Sequence, residues 1–358
     1  MIRFVVTALL TFTLSASLVI AQEPQQPPLM VQEQGSFTAG GVVVTAPGEY
    51  DPSNFRRPDG QSTYADHAFV SYQVPVDARK LPLVFLHGGF QSSKTWESTP
   101  DGREGFQNIF LRRRFGVYLV DQPRRGKAGQ SSLPIDLQPS FVNITYHMLF
   151  RLGNYPDFFP GVQFPQDAES LDQYFRQITP NTGPLDFEVV TDSMVALFDK
   201  IGPGILVTHS QGGSPGWMTA IKSDKVRAII SYEPGGTPFL FPEGEVPEPI
   251  QTSFGSRAGR GIPLEDFKKL TRLPIVIYYG DNIATESTEH YGMDQWRAEL
   301  QLARTFAATI NKHGGDATVI HLPEIGVTGN THFPFSDLNN IQIADLLSEF
   351  LALKKLDE

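Results

Sequence analysis

From Leu81 onward the chain repeats one alternation, a short unbroken apolar run followed by a stretch whose apolar residues recur at helical spacing. The runs are "LPLVFLHGG" (81–89), "FGVYLVDQP" (115–123), "PGILVTHS" (203–210), "KVRAIISYEPGG" (225–236), "LPIVIYYGDN" (273–282) and "ATVIHLPE" (317–324). Between and after them lie "VVTDSMVALFDKIG", stopping at Gly202, a helical stretch from about Gln211, "DQWRAELQLARTFAATINKHGG" and "NNIQIADLLSEFLALKK". Strands apolar on both faces must be covered on both faces, and alternation with helices does this only in a mostly parallel sheet. Upstream, "FTAGGVVVTAP" and "HAFVSYQVPV" read as antiparallel strands. The expected architecture is therefore an α/β fold with a mostly parallel mixed sheet flanked by helices.

Two stretches fit no such unit. Residues 133–185 are rich in Phe, Tyr, Pro and Gly, as in "YPDFFPGVQFP", and residues 237–272 are rich in Pro and Gly. Long insertions in a compact domain are usually lids or binding loops, and the two are read as one cap over the sheet's C-terminal edge. Nine aromatics fall between Phe141 and Phe175. They fit a pocket wall and the cap's own small core equally well.

The first residues, "MIRFVVTALLTFTLSASLVIAQEP", carry one early cation, an apolar run and small side chains near Ala21. This predicts a signal peptide over residues 1–21, a flexible segment over 22–34 and one domain over 35–358. The expected destination is outside the cytoplasm, secreted or periplasmic, with no membrane association after cleavage. There are no cysteines, so neither disulfides nor thiolate metal sites contribute. The formal charge of −10 and the lack of a basic stripe argue against nucleic acid. The short cationic runs at Arg112–Arg114 and Arg124–Arg125 read as solvated loop and helix-end charge. No cofactor or metal is expected, and oligomeric state is not legible.

Chemistry concentrates in four places. In "LVTHSQGGSPGW" an apolar strand meets Ser210, then small residues and a helix, the layout of a nucleophile elbow. The usual G-x-S-x-G pattern has Thr208 in place of its first glycine. In "VFLHGGF" a strand ends in bare glycines, so the amides of Gly89 and Gln211 are candidate donors to a developing oxyanion. His332, in "GVTGNTHFPFSDLNN", follows the last strand and precedes the last helix, where a base reaches back to the serine. His209, next to the nucleophile, is expected to point the other way, and His87 to serve as a structural hydrogen-bonder. Glu233 and Asp281 both end strands after Ser210, and either satisfies the acid's role of fixing the imidazole tautomer. On residue chemistry alone the acid stays undecided. The central expectation is that the Ser210 hydroxyl and the His332 imidazole meet.

Together "HGG" with "TWE" (Thr95-Trp96-Glu97), "VDQPRRGKAGQS", "HSQGG", "EPGG", "GD" and "GNTHF…D.NN" resemble the α/β-hydrolase superfamily, in particular secreted bacterial carboxylesterases whose acid is a glutamate after the sixth strand. The resemblance runs from about Gly35 to the C-terminus, least in the cap. It implies Ser210 as nucleophile, His332 as base, Glu233 as acid, and Gly89 and Gln211 as oxyanion donors. Asp281 would then orient the loop bearing His332. The implied activity is hydrolysis of small-molecule carboxylic esters through an acyl-enzyme, and the aromatics of the cap add the expectation of apolar or aryl esters. An amidase or lactonase with the same triad, or a non-catalytic binding member of the fold, is the alternative.

Overall fold

The structure, a computed structural model, describes residues 27–358. The expected signal peptide lies outside the described residues. Eight strands form one sheet: β1 (Val31–Thr45), β2 (Ser62–Pro75), β3 (Leu83–Leu86), β4 (Val117–Asp121), β5 (Gly204–His209), β6 (Val226–Tyr232), β7 (Pro274–Tyr279) and β8 (Asp316–His321). Their spatial order is β1-β2-β4-β3-β5-β6-β7-β8. β1 with β2 and β2 with β4 pair antiparallel, and every other neighbouring pair is parallel. The sheet is thus mixed and mostly parallel, as the alternation of apolar runs requires.

β1 begins earlier than the sequence reading placed it. Val31 to Gln34, assigned to a flexible segment, extend the ladder toward Pro75 of β2, and Tyr72 donates to the Glu33 carboxylate at 2.7 Å. Polar side chains there are compatible with a strand because β1 is a sheet edge, open to water on its outer side.

Two apolar layers sandwich the sheet. One holds Leu197, Phe198, Trp217, Phe239, Phe241, Phe267, Leu270, Phe306 and Ile310. The other holds Phe85, Trp96, Phe106, Phe110, Tyr232, Phe335 and Leu347. All six residues of β5 are buried, so the strand leading to Ser210 is fixed on both faces. The covering helices include α1 (Phe106–Arg112), α2 (Asn143–Leu149), α3 (Ala168–Arg176), α4 (Phe187–Ile201), α5 (Gly213–Lys222), α6 (Tyr291–Lys312) and α7 (Asn340–Leu353).

The two inserted segments behave differently. Residues 133–185 carry α2 and α3, and their Tyr146, Phe150, Leu152, Val162, Phe164 and Tyr174 are buried. Residues 237–272 send Phe239, Leu240, Phe241, Phe267 and Leu270 into the opposite core layer and raise a small hairpin, Ile250–Thr252 with Gly255–Arg257. The second segment is therefore largely a buttress of the core with one hairpin projecting, rather than half of a uniform roof.

Candidate active site

β5 delivers Ser210 at the sheet's C-terminal edge. The backbone there turns sharply, with φ of +51° at Ser210, a left-handed conformation that costs about 1–3 kcal/mol for a residue bearing a side chain. Small neighbours make the turn possible. A Cβ on Gly88 would lie 2.8 Å from the Ser210 Cβ, and one on Gly212 would lie 2.8 Å from the His87 carbonyl oxygen. Thr208 is accommodated one turn further along α5. A Cβ on Gly216 would lie 2.7 Å from the Thr208 methyl, and the Thr208 hydroxyl bonds Ser231 Oγ at 2.7 Å. The glycine absent from position 208 is, in packing terms, present at 216.

Three imidazoles crowd this edge. His332 is fully buried, stacked on Phe150 at 4.7 Å and 4.1 Å from the Trp296 ring. Its Nδ1–H donates to the Glu233 carboxylate at 3.0 Å, which leaves the lone pair on Nε2. That nitrogen is buried and has no hydrogen-bond partner among the described residues. Burial pushes the His332 pKa down to about 4, against the opposing pull of Glu233. His209 does not turn away as the sequence reading had it. Its Nε2–H donates to the His332 carbonyl at 2.9 Å, and its ring lies 4.6 Å from that of His332. Burial and its histidine neighbour hold His209 neutral, well below the usual range. His87 donates to the Gly88 carbonyl at 2.8 Å and accepts from the Gln122 amide at 3.2 Å.

Glu233, at φ +49°, is fully buried and accepts from Arg151 Nη2 at 2.6 Å, from the Gly280 amide and from His332. Burial works against its charge, but Arg151 and His332 outweigh it and hold its pKa below the ordinary value. Asp281 sits apart. Its carboxylate accepts from the amides of Asn282 (2.6 Å) and Gly329 (2.7 Å), while its own amide donates to the Asn330 carbonyl at 2.7 Å. Asp281 thus braces the loop that leads to His332. Asp337 braces it from the other side, accepting from the Thr331 amide and hydroxyl and from Asn330 Nδ2.

Ser210, Gly89 and Gln211 line one cleft of about 150 Å³ together with Phe90, Tyr146, Leu149, Phe150 and Trp296. Phe150 and Trp296 thus touch both this cleft and His332. Ser210 Oγ and His332 Nε2 are not hydrogen-bonded to one another here; what links them is that Phe150 and Trp296 border both the cleft and the imidazole. Catalytic hydrogen bonds often tighten only when substrate binds. The aromatics of residues 133–185 divide between two duties. Tyr146 and Phe150 line the cleft, whereas Phe158, Phe164 and Tyr174 pack on one another.

The sequence reading passes over Arg151 and misreads Arg125. Arg124 and Arg125, read as solvated charge, are both buried. Arg124 pairs with Asp66 at 2.8 Å. Arg125 donates to the Gly88 carbonyl at 2.8 Å and to Gln211 Oε1 at 3.2 Å, tying the glycine loop to the elbow. Arg151, at φ +60°, also donates to the Asp281 carbonyl at 2.7 Å. Neither carries a local signal, because the partners are brought together by the fold. Among the described residues no cluster of His, Cys, Asp or Glu is arranged to hold a metal, and no helix is long and apolar enough to cross a membrane.

Comparison with known proteins agrees with this fold. The chain is 27% identical over 320 residues, 78% of this chain and 84% of the relative, to a probable secreted lipase, phiG, of a fungal species (strain ATCC 74256). Among solved structures, a novel bacterial esterase determined at atomic resolution superposes with a TM-score of 0.74 at 28% identity, covering 93% of this chain and 99% of its own. The sequence pattern of the alpha/beta hydrolase family matches residues 83–341. With its eight-stranded mixed sheet and a serine turn at the end of the fifth strand, the chain belongs to the alpha/beta hydrolase family.

Proposed function

We propose that this chain is a carboxylic ester hydrolase working through an acyl-enzyme on Ser210. In this reading His332 Nε2 takes the serine proton as the hydroxyl attacks the ester carbonyl. Glu233 holds the imidazole in the tautomer that leaves Nε2 free and stabilises the imidazolium that forms. The amides of Gly89 and Gln211 receive the developing oxyanion, each such donor contributing about 3 kcal/mol of transition-state stabilisation. The histidine returns its proton to the leaving alcohol, then activates the water that releases the acid. The single observation that carries the reading is the polarity of His332: Nδ1–H is committed to Glu233, and Nε2 is buried and unpartnered beside residues that also line the Ser210 cleft.

The relatives named as a secreted lipase and an esterase support both ester hydrolysis and export. The aromatic lining supports apolar or aryl groups as one portion of the substrate. A fluorophosphonate probe tests the assignment. Wild-type protein is expected to label at Ser210 and the Ser210→Ala variant not at all. A wild type that fails to label, while folded by its melting curve, would overturn the nucleophile.

A further inference from the structure

The cleft that holds Ser210 carries one cation and no acid among its lining residues. Aromatic and aliphatic side chains, Phe90, Tyr146, Leu149, Phe150 and Trp296, supply most of it, and Arg257 enters from the open end of the 250–257 hairpin, opposite Ile250, with Gln295 and Tyr291 also in the lining. In a chain of net charge −10, a guanidinium that shares a cleft with Ser210, with no carboxylate in the same lining, favours an anion there.

Its hydrogen bonding is incomplete. Arg257 Nη2 donates to Gln295 Oε1, and Nη1 makes a long 3.3 Å contact with the carbonyl of its neighbour Ser256. Nε lies 3.4 Å from Glu299 Oε1 but forms no hydrogen bond there. A guanidinium has five N–H donors in a planar fork, so most of its capacity is unspent, and the side chain retains 33% exposure. Glu299 is also a weak counter-ion. Its carboxylate is occupied by the Gly236 amide at 3.0 Å, and burial raises its pKa to about 7. The fork therefore faces the cleft with donors and charge to give.

We infer that Arg257 is the recognition group for a carboxylate carried by the substrate, so that the cleft takes monoanionic esters pairing an apolar or aryl portion with one acidic end. This deepens the hydrolase reading and rests on it. Planar bidentate pairing is what a guanidinium does best, and it orients the ester as well as binding it. The aromatic wall would hold the rest of the molecule.

The test compares kcat/KM within matched pairs, para-nitrophenyl hemiglutarate against para-nitrophenyl hexanoate for an acyl-side carboxylate, and 4-acetoxybenzoate against 4-acetoxybenzamide for an alcohol-side one. In at least one pair the anionic-to-neutral ratio is expected to fall roughly tenfold or more in Arg257→Met, as loss of a charge-assisted pair implies. Arg257→Lys should fall between. Binding is read separately by calorimetric titration of para-nitrophenyl hemiglutarate and 4-acetoxybenzoate into Ser210→Ala, with and without Arg257→Met. Parallel losses on both members of each pair, or no change in either ratio, would reduce Arg257 to a structural partner of Glu299 and overturn the inference. A wild type that hydrolyses none of the four esters, while Ser210→Ala still binds an anion through Arg257, would sink the hydrolase reading and keep the recognition site. Absence of both would sink both.

Discussion

The two inserted segments each carry an arginine that pairs with a glutamate, and the pairs are unlike. Arg151, from residues 133–185, meets Glu233 at 2.6 Å with both side chains fully buried, and the glutamate is held ionised. Arg257, from residues 237–272, stands 3.4 Å from Glu299 with a third of its side chain exposed, and burial raises that glutamate to about 7. The first segment is further tied to the site by the His332 amide donating to the Phe150 carbonyl at 3.1 Å. It is part of the catalytic scaffold, since lifting it would strand a buried carboxylate without its cation. The second segment is rooted by buried aromatics, and its hairpin is tied to α6 by the Ser253 amide donating to Asp294 at 2.6 Å and by Arg297 donating to the Gln251 carbonyl at 2.7 Å. On the mechanism proposed above, one insertion supports the reacting groups and the other contributes to specificity.

The sharpest way to break this contrast is Glu233→Gln. An amide there no longer enforces the His332 tautomer, and loss of the triad acid's charge lowers kcat on the order of 10⁴-fold. Asp281→Asn should retain a substantial fraction of activity, because its carboxylate serves loop amides rather than the imidazole. The reverse ranking in steady-state kinetics would move the acid to Asp281. Next in size is Arg151→Met, which leaves Glu233 buried and uncompensated at a cost of about 3–5 kcal/mol in unfolding free energy. Arg151 also depresses the His332 pKa. Its removal should therefore move the acid limb of kcat/KM to higher pH, a shift that a merely structural arginine would not produce.

The sheet was legible because two-sided burial leaves an unmistakable pattern of apolar runs, and Ser210, Glu233, Asp281 and His332 were legible because each sits at the end of such a run or just past the last one. Arg151 was not. It lies in an insertion without helical or strand period, and its partner is 82 positions away in sequence. His209 was misread because side-chain alternation along a strand says nothing of a loop that crosses its end, and it is the His332 loop that supplies the carbonyl. Arg124 and Arg125 looked solvated because adjacent arginines usually are, yet Asp66, Gly88 and Gln211 converge on them from three other segments. Charge that is paired through the fold leaves no trace in local composition.

On the side of the second segment, Leu270→Ala should cost roughly 2–5 kcal/mol of stability, the range for truncating a buried leucine. The kcat/KM of the folded fraction should be unchanged, because Leu270 packs in the core layer away from the cleft. A comparable loss of kcat/KM at a temperature well below melting would show the two segments to be coupled after all.

The smallest effect separates the two glutamates by sign. Glu233 titrates below its ordinary value, so its contribution to stability is present above pH 4.5 and lost as the pH falls further. Glu299 titrates near 7 in the folded chain against 4.5 when unfolded. Its contribution is present below pH 4.5 and lost as the pH rises through 7, where the fold must hold a desolvated carboxylate that Arg257 compensates poorly. Glu299→Gln keeps the shape and removes the titration. Melting curves of wild type and variant should therefore diverge with pH, the variant gaining on the wild type between pH 5 and pH 8.5 by at most about 3 kcal/mol. Parallel curves across that range would mean that Arg257 neutralises Glu299 as fully as Arg151 does Glu233, and the contrast between the segments would rest on geometry alone.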